Sequence, residues 1–171
     1  MVDYIEKVRR AAILRNGEPL YNGSVDHAAV LAEAMFTYAQ KSVDILTGEL
    51  NARVYGSTIV LDRVKEFLST SSCQVRVLLE RPDLVDHQDH PFFVAFSGRQ
   101  DVKFRSLPET LPELIPYHFI VMDRDCYRYE ADKTKQQAVA AFGDPVGGKK
   151  LAGIFEKLWE VSNPTDLSLA H

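Results

Sequence analysis

Residues 115–130 read IPYHFIVMDRDCYRYE. An apolar run follows a histidine, ends at an aspartate, and gives way to a second, aromatic run. Because β-branched and aromatic residues favour extended backbone, the stretch predicts two short strands joined by a turn at Arg124 and Asp125. The first strand carries one titratable residue at its start, His118, and another at its end, Asp123. These two positions are the first candidates for a functional site.

Helical and extended patterns alternate on the N-terminal side of this stretch. Helices are predicted after the capping residue Ser24, over residues 57–70, and over residues 90–98. Strands are predicted at residues 42–48, 73–80 and 101–107. A further strand at residues 137–143 and a helix capped by Asp144 follow the stretch. This order predicts an α/β fold with a mixed sheet and helices on both of its faces.

The chain has the composition of an ordinary globular domain. Of its 171 residues, 46% are hydrophobic and 26% are charged, and the formal net charge is −4. A negative charge opposes a general nucleic-acid binder, whose surface is basic. No apolar run approaches the length of a membrane span, and Cys73 and Cys126 lie in strand-like contexts typical of buried free thiols. These features predict a cytoplasmic protein with no membrane contact and no cofactor.

Several pieces of the sequence, taken in order, resemble a single phospholipase D-like domain. They are AEAMFTYAQKSVDILT, VKEFLSTSSCQVRVLLE, HPFFVAFSGRQDVKFRSL, HFIVMDRDCYRYE and AAFGDPVGGKKLAGIFEKLWEVS. The likeness covers residues 24–162, which leaves residues 1–23 as an N-terminal arm or edge element and residues 163–171 as a frayed tail. The pieces are also similar to a bacterial group of shortened members that lack much of the family motif.

The catalytic signature of that family is His-x-Lys-x4-Asp, and two registers can be tried here. If the apolar strand sets the alignment, Asp123 takes the Asp position, His118 the Lys position and Pro116 the His position. If His118 is the histidine, Ile120 stands at the Lys position and Asp125 at the Asp position. We prefer the first register because the apolar strand ends at Asp123. Neither register supplies both the nucleophile and the lysine.

The function that the resemblance implies depends on the absence of this histidine–lysine pair. Losing one preorganised positive donor costs on the order of 100- to 1000-fold in rate, and losing the nucleophile removes the covalent route. We therefore expect a non-catalytic domain that binds a partner protein or a small anionic ligand, as a homodimer because one-domain members pair. The alternative is a residual phosphodiesterase or nuclease that uses His118 in a homodimer, supported by Asp123 or Asp125.

Other residues are candidates for ligand contact. Asn51, Arg53 and Tyr55 follow the first strand of the predicted domain, and open α/β sheets bind ligands at the carboxyl ends of their strands. Tyr117 and Arg128 belong to the aromatic, charged strand pair and are candidates to line the same pocket, although alternation on a half-exposed strand explains them equally well.

His87 and His90 stand three residues apart between aspartates in the segment DLVDHQDHP. This spacing is compatible with a zinc site. The segment is equally typical of a polar loop that leads into a short helix, which is the interpretation we prefer. We accordingly predict no metal.

Overall fold

The computed structural model of the chain describes residues 1–165. Within them, eight strands form one mixed sheet in the order β1-β7-β6-β5-β2-β3-β4-β8. The strands are β1 (Leu20–Asn22), β2 (Ser42–Thr47), β3 (Gln74–Leu79), β4 (Val102–Ser106), β5 (His118–Met122), β6 (Cys126–Glu130), β7 (Ala138–Phe142) and β8 (Asn163–Pro164).

Six α-helices of the described residues cover the two faces of this sheet unequally. They are α1 (Val2–Leu14), α2 (Val25–Tyr38), α3 (Ala52–Tyr55), α4 (Thr58–Leu68), α5 (Pro91–Phe96) and α6 (Pro145–Val161), with a 3₁₀ turn at Pro82–Leu84. The first five contribute to one hydrophobic core, and α6 alone packs on the opposite face. Ser24 and Asp144 accept backbone N–H groups at the starts of α2 and α6, as the sequence predicts.

Strand direction changes in the middle of the sheet. β2, β3 and β4 run parallel to one another, whereas β5 pairs with β2 in the antiparallel sense, with Leu46 opposite Phe119. The start of β5 therefore lies at the edge where β2 and β3 end. At the other edge, Asp123 and Arg124 both adopt left-handed backbone conformations (φ 52° and 63°) and form the tight turn into β6.

The face under α6 contains a charged group within its apolar core. Arg76 on β3 donates to both carboxylate oxygens of Asp44 on β2, at 2.7 and 2.9 Å, and to Glu156 on α6, at 2.6 Å. Its guanidinium also lies over the rings of Phe155 and Trp159, at 5.0 and 5.3 Å from their centroids. This arginine thus links the helix to the sheet through charge and through aromatic contact.

The predicted fold class is confirmed: the sheet is mixed and helices lie on both faces. The predicted order of elements from α2 to α6 matches the structure except for the short helix α3, and α1 and β8 were not predicted either. Residues 1–23, predicted as an arm or edge element, form α1 and the edge strand β1, which pairs with β7.

The predicted frayed tail, residues 163–171, starts with the two residues of β8, which pair with β4. Residues 166–171 lie outside the described residues. No helix among residues 1–165 combines the length and the apolar character that a bilayer crossing needs.

Gly143 gives a test of how firmly the N-terminal segment is bound to the sheet. It has a φ of +82°, and a Cβ there would collide with the carbonyl group of Arg15. We expect Gly143→Ala to lower the free energy of unfolding by about 3 kcal/mol or more, because it adds backbone strain to a steric clash. Urea denaturation measures this loss.

The matched control is Gly98→Ala. A Cβ at Gly98 meets no heavy atom within 4 Å, so this variant keeps the stability of the wild type to within about 1 kcal/mol. Equal stability of the two variants would contradict the packing of residues 15–17 against the end of β7.

Candidate functional site

Four strands bring polar residues to one edge of the sheet. Thr47 ends β2, Glu80 follows β3, His118 begins β5 and Glu130 ends β6. Thr47, His118 and Glu130 line a cavity of about 330 Å³, and Glu80 lies against His118 behind its wall. The edge where the parallel strands end is the ligand-binding edge in open α/β sheets, and the cavity is the candidate site.

His118 lies between two carboxylates. Its Nε2 is 3.1 Å from Oε2 of Glu80, within ion-pair distance but without the alignment of a hydrogen bond. Its Nδ1 is 3.8 Å from Oε2 of Glu130. The Glu80 side chain is only 4% exposed and that of His118 is 18% exposed, so the imidazole is fixed between two acidic groups with little access to water.

Four cationic side chains line the cavity, and three of them are already neutralised. Lys133 lies 3.0 Å from each carboxylate oxygen of Glu80, and Arg128 donates to Glu130 at 2.7 Å. Lys135 pairs with Asp132 at 3.1 Å. The fourth cation is Arg81.

Arg81 is the cavity cation without an acidic partner among residues 1–165. It follows Glu80 directly, is exposed, and its backbone N–H donates to the carbonyl oxygen of Gly48. A Cβ at Gly48 would lie 3.7 Å from the Arg81 guanidinium and 3.5 Å from the His118 ring. The glycine therefore leaves room for both side chains at the mouth of the cavity.

Tyr55 contributes a hydroxyl group to the cavity wall. Burial raises the pKa of Tyr55 to about 12, against the opposing influence of the nearby Arg128 charge. The phenol is therefore a neutral hydrogen-bond donor at physiological pH. No described residue accepts a hydrogen bond from it, so this donor is available to a ligand.

The remaining wall of the cavity is apolar and comes largely from α2. Ala28 and Ala32 of this helix line the site together with Ile120 of the sheet, which belongs to the same hydrophobic core. The helix begins at Ser24, which also lines the cavity. Because a helix N-terminus carries a partial positive charge, α2 adds to the attraction of the site for an anion.

Asp123 does not reach this site. Asp123 follows the last residue of β5 and is five residues beyond His118, so the two residues are separated by roughly 17 Å at about 3.3 Å per residue. At the far edge the Asp123 carboxylate accepts three backbone N–H groups, from Gln40, Lys41 and Ser42, at 2.8, 2.8 and 3.0 Å. The structure therefore does not bring the candidate Asp123 together with His118: the carboxylate joins the α2–β2 loop to the β5–β6 turn.

Asp125 lies at the same far edge. Its Oδ1 is 2.6 Å from the guanidinium of Arg15, which follows α1. The second register of the motif, with His118 and Asp125, is thus not assembled in the structure either. Asp123 thus stabilises the β5–β6 turn against the α2–β2 loop, and Asp125 binds the N-terminal segment through Arg15.

The other predicted site residues divide into two groups. Asn51, Tyr55 and Arg128 line the cavity. Tyr117 lies on the opposite face of the sheet, against Phe119, because side chains alternate along a strand. Arg53 lies outside the cavity wall, with its side chain 72% exposed and 3.5 Å from Asp26.

Pro116 and His90 have backbone roles. The Pro116 carbonyl accepts the N–H of Lys133 at 2.8 Å. His90 caps α5 by accepting the N–H of Phe92, and its other ring nitrogen lies 2.6 Å from the carbonyl oxygen of Leu50. His87 lies against the ring of Phe93, and residues 1–165 contain no cluster of three metal-ligating side chains.

Sequence reasoning missed Glu80, Arg81 and Lys133. Glu80 and Arg81 follow β3 in the same way that Asn51 and Tyr55 follow β2. Because ligands bind at the carboxyl ends of parallel strands, the end of β3 predicts Glu80 and Arg81 as site residues. The sequence gives no local signal for Lys133, because the loop after β6 reaches the site only through tertiary packing.

Several solved structures share this fold. The chain is similar in structure to TrmBL2, an archaeal chromatin protein (TM-score 0.63, 12% identity), covering 94% of this chain and 60% of that one. It is similar to NucT from Helicobacter pylori (0.63, 9%) and to Nuc from Salmonella typhimurium, a phospholipase D family member (0.57, 13%), each covering 86% of this chain and 99% of theirs. The predicted phospholipase D-like fold is thereby confirmed.

The sequence places the chain in a particular family. Residues 24–167 match the family described as "Domain of unknown function (DUF7931)", and the chain belongs to it. No curated protein matches the sequence. The chain spans 60% of the length of TrmBL2, and at these low identities the structural likenesses show the fold alone.

Replacing Asp123 tests its backbone-holding role. Asp123→Asn keeps the size of the side chain and tolerates the left-handed backbone, but its amide nitrogen cannot accept an N–H group. We expect a loss of about 1–2 kcal/mol in the free energy of unfolding, measured by urea denaturation. Asp62→Asn, on the exposed side of α4, is the control and changes stability by less than about 0.5 kcal/mol. Equal losses in the two variants would refute the role.

Proposed function

We propose that this chain binds a small anionic ligand in the cavity at the carboxyl ends of β2 and β3 and does not cleave phosphodiesters. The observation that carries the proposal is Arg81, an unpaired guanidinium at the mouth of a cavity of about 330 Å³. Guanidinium groups bind carboxylate and phosphate oxygens through two parallel hydrogen bonds.

The cavity also has the size and lining of a ligand site. Pockets for small molecules start at about 300 Å³ and combine apolar walls with a few placed polar groups. Here α2 supplies apolar wall and a helix N-terminus, and Tyr55 supplies a free hydroxyl donor. The ligand that fits this combination has an anionic group next to an apolar or aromatic body.

The surroundings of His118 support binding without turnover. A nucleophilic histidine needs an unprotonated ring nitrogen directed at phosphorus. At Nε2 that position is taken by the carboxylate of Glu80, and at Nδ1 the nearest group is the carboxylate of Glu130. A phosphodiester that approaches either nitrogen meets negative charge, and Pro116, at the nucleophile position of the preferred register, cannot attack.

The homodimer implied by the family resemblance stays a prediction. Sedimentation equilibrium of the purified chain tests it independently of ligand binding.

Arg81 is the residue to change first. We expect bis(4-nitrophenyl) phosphate, which joins an anionic group to aromatic rings, to bind the wild type, and Arg81→Ala to weaken binding at least tenfold in isothermal titration calorimetry. Arg53→Ala is the matched control, since it removes the same charge from an exposed position outside the cavity. Absence of binding to the wild type, or equal effects of the two variants, would refute the proposal.

The second candidate function is a phosphodiesterase or nuclease that uses His118, possible in a fold shared with NucT and with a phospholipase D family member. The same ester releases coloured nitrophenolate on cleavage, so one reagent measures both binding and turnover. We expect no release above background, and no cleavage of DNA, with or without EDTA. Turnover by the wild type that disappears in His118→Ala would establish the enzyme instead.

A further inference from the structure

We propose that Lys133 and His118 form an anion subsite and that the carboxylate of Glu80 occupies it. An acidic residue of the chain itself thus stands where an oxyanion of a ligand would bind. The occupied subsite limits the ligand to a single anionic group, and this limit rests on the proposed function. The subsite itself is inferred from the contacts of Glu80 and is independent of the proposed function.

The contacts of Glu80 are those of a bound oxyanion. Both carboxylate oxygens lie 3.0 Å from Nζ of Lys133, and one of them is 3.1 Å from Nε2 of His118. The third direction of the ammonium group is taken by the carbonyl oxygen of Pro112, at 2.5 Å. The Lys133 ammonium group and the His118 ring, from a loop and a strand start, therefore converge on one pair of oxygens.

Backbone contacts hold Glu80 in this position. Its N–H continues the β3 pairing by donating to the carbonyl oxygen of Thr47 at 3.0 Å, and the next residue donates to Gly48. The side chain is only 4% exposed. An external anion that displaced it would leave a buried carboxylate without a partner, which is a large cost.

The consequence concerns the charge of the ligand. Glu80 neutralises Lys133, Glu130 neutralises Arg128 and Asp132 neutralises Lys135. Within residues 1–165, Arg81 is thus the cavity cation left for an anionic group. A ligand with a second phosphate gains nothing in the wild type. Once the Glu80 charge is removed, Lys133 becomes an unpaired, partly buried cation and accepts an oxyanion from solution.

Glu80→Gln tests the subsite, because it keeps the shape of the side chain and removes its charge. With inorganic phosphate as the probe in isothermal titration calorimetry, we expect this variant to bind at least tenfold more tightly than the wild type. The gain disappears in Glu80→Gln combined with Lys133→Met. Glu66→Gln, which removes one charge from an exposed position on α4, is the control and leaves phosphate affinity unchanged within twofold.

Two results would overturn the inference. One is a folded Glu80→Gln variant, verified by its thermal melt, that binds phosphate no better than Glu66→Gln. The other is a gain that persists without Lys133. If Glu80→Gln does not fold, Glu80→Asp keeps the charge and withdraws the carboxylate by one methylene; a gain of about threefold supports the subsite, and no gain overturns it.

The two proposals fail separately. Arg81→Ala combined with Glu80→Gln retains the phosphate gain if the subsite is independent of Arg81, and loss of that gain overturns the subsite. If the wild type does not bind the diester probe but Glu80→Gln binds phosphate more tightly than the wild type, only the proposed function is refuted.

Discussion

The antiparallel pairing of β5 with β2 is the constraint on which the rest of this molecule depends. It places the first residue of β5, His118, at the edge where the parallel strands β2 and β3 end, and its last residue's neighbour, Asp123, at the opposite edge. One short strand therefore serves two unrelated purposes. Its start contributes to a cavity with polar groups from four elements, and its end is tied through a carboxylate to the loop that follows α2.

Ion pairs within the chain neutralise most of the cations in the cavity. A buried or half-buried ion needs a partner, and here nearly every cation at the site has one within the chain. Glu80 holds both Lys133 and the imidazole, and Glu130 holds Arg128. Arg81 is the cavity cation that has no acidic partner among residues 1–165, and the proposed binding of an anion rests on it.

The sequence predicted the sheet and the order of its elements because hydrophobic period and capping residues are local signals. The capping residues Ser24 and Asp144 mark the starts of α2 and α6. The apolar runs around Val43 and Phe119 mark the strands β2 and β5. The site was predicted only in part. Asn51, Tyr55, Arg128 and His118 were found from strand ends and family likeness, whereas Lys133 arrives through a loop whose path no local pattern encodes. The sequence motif gives only the spacing of His118 and Asp123 along the chain, and in the structure the strand β5 separates them by its own length.

The unequal covering of the sheet has a consequence for how the chain is made. Every strand beneath α6 precedes that helix in the sequence, so a ribosome releases the apolar surface of Leu46, Leu78 and Phe119 before its cover exists. The opposite face is better protected, because α2, α4 and α5 alternate with the early strands and can dock as they emerge. A nascent chain therefore passes through a half-covered stage in which open apolar surface invites aggregation. Arg76, already seated on Asp44, then gives the arriving helix a charged and aromatic anchor that ends this exposure.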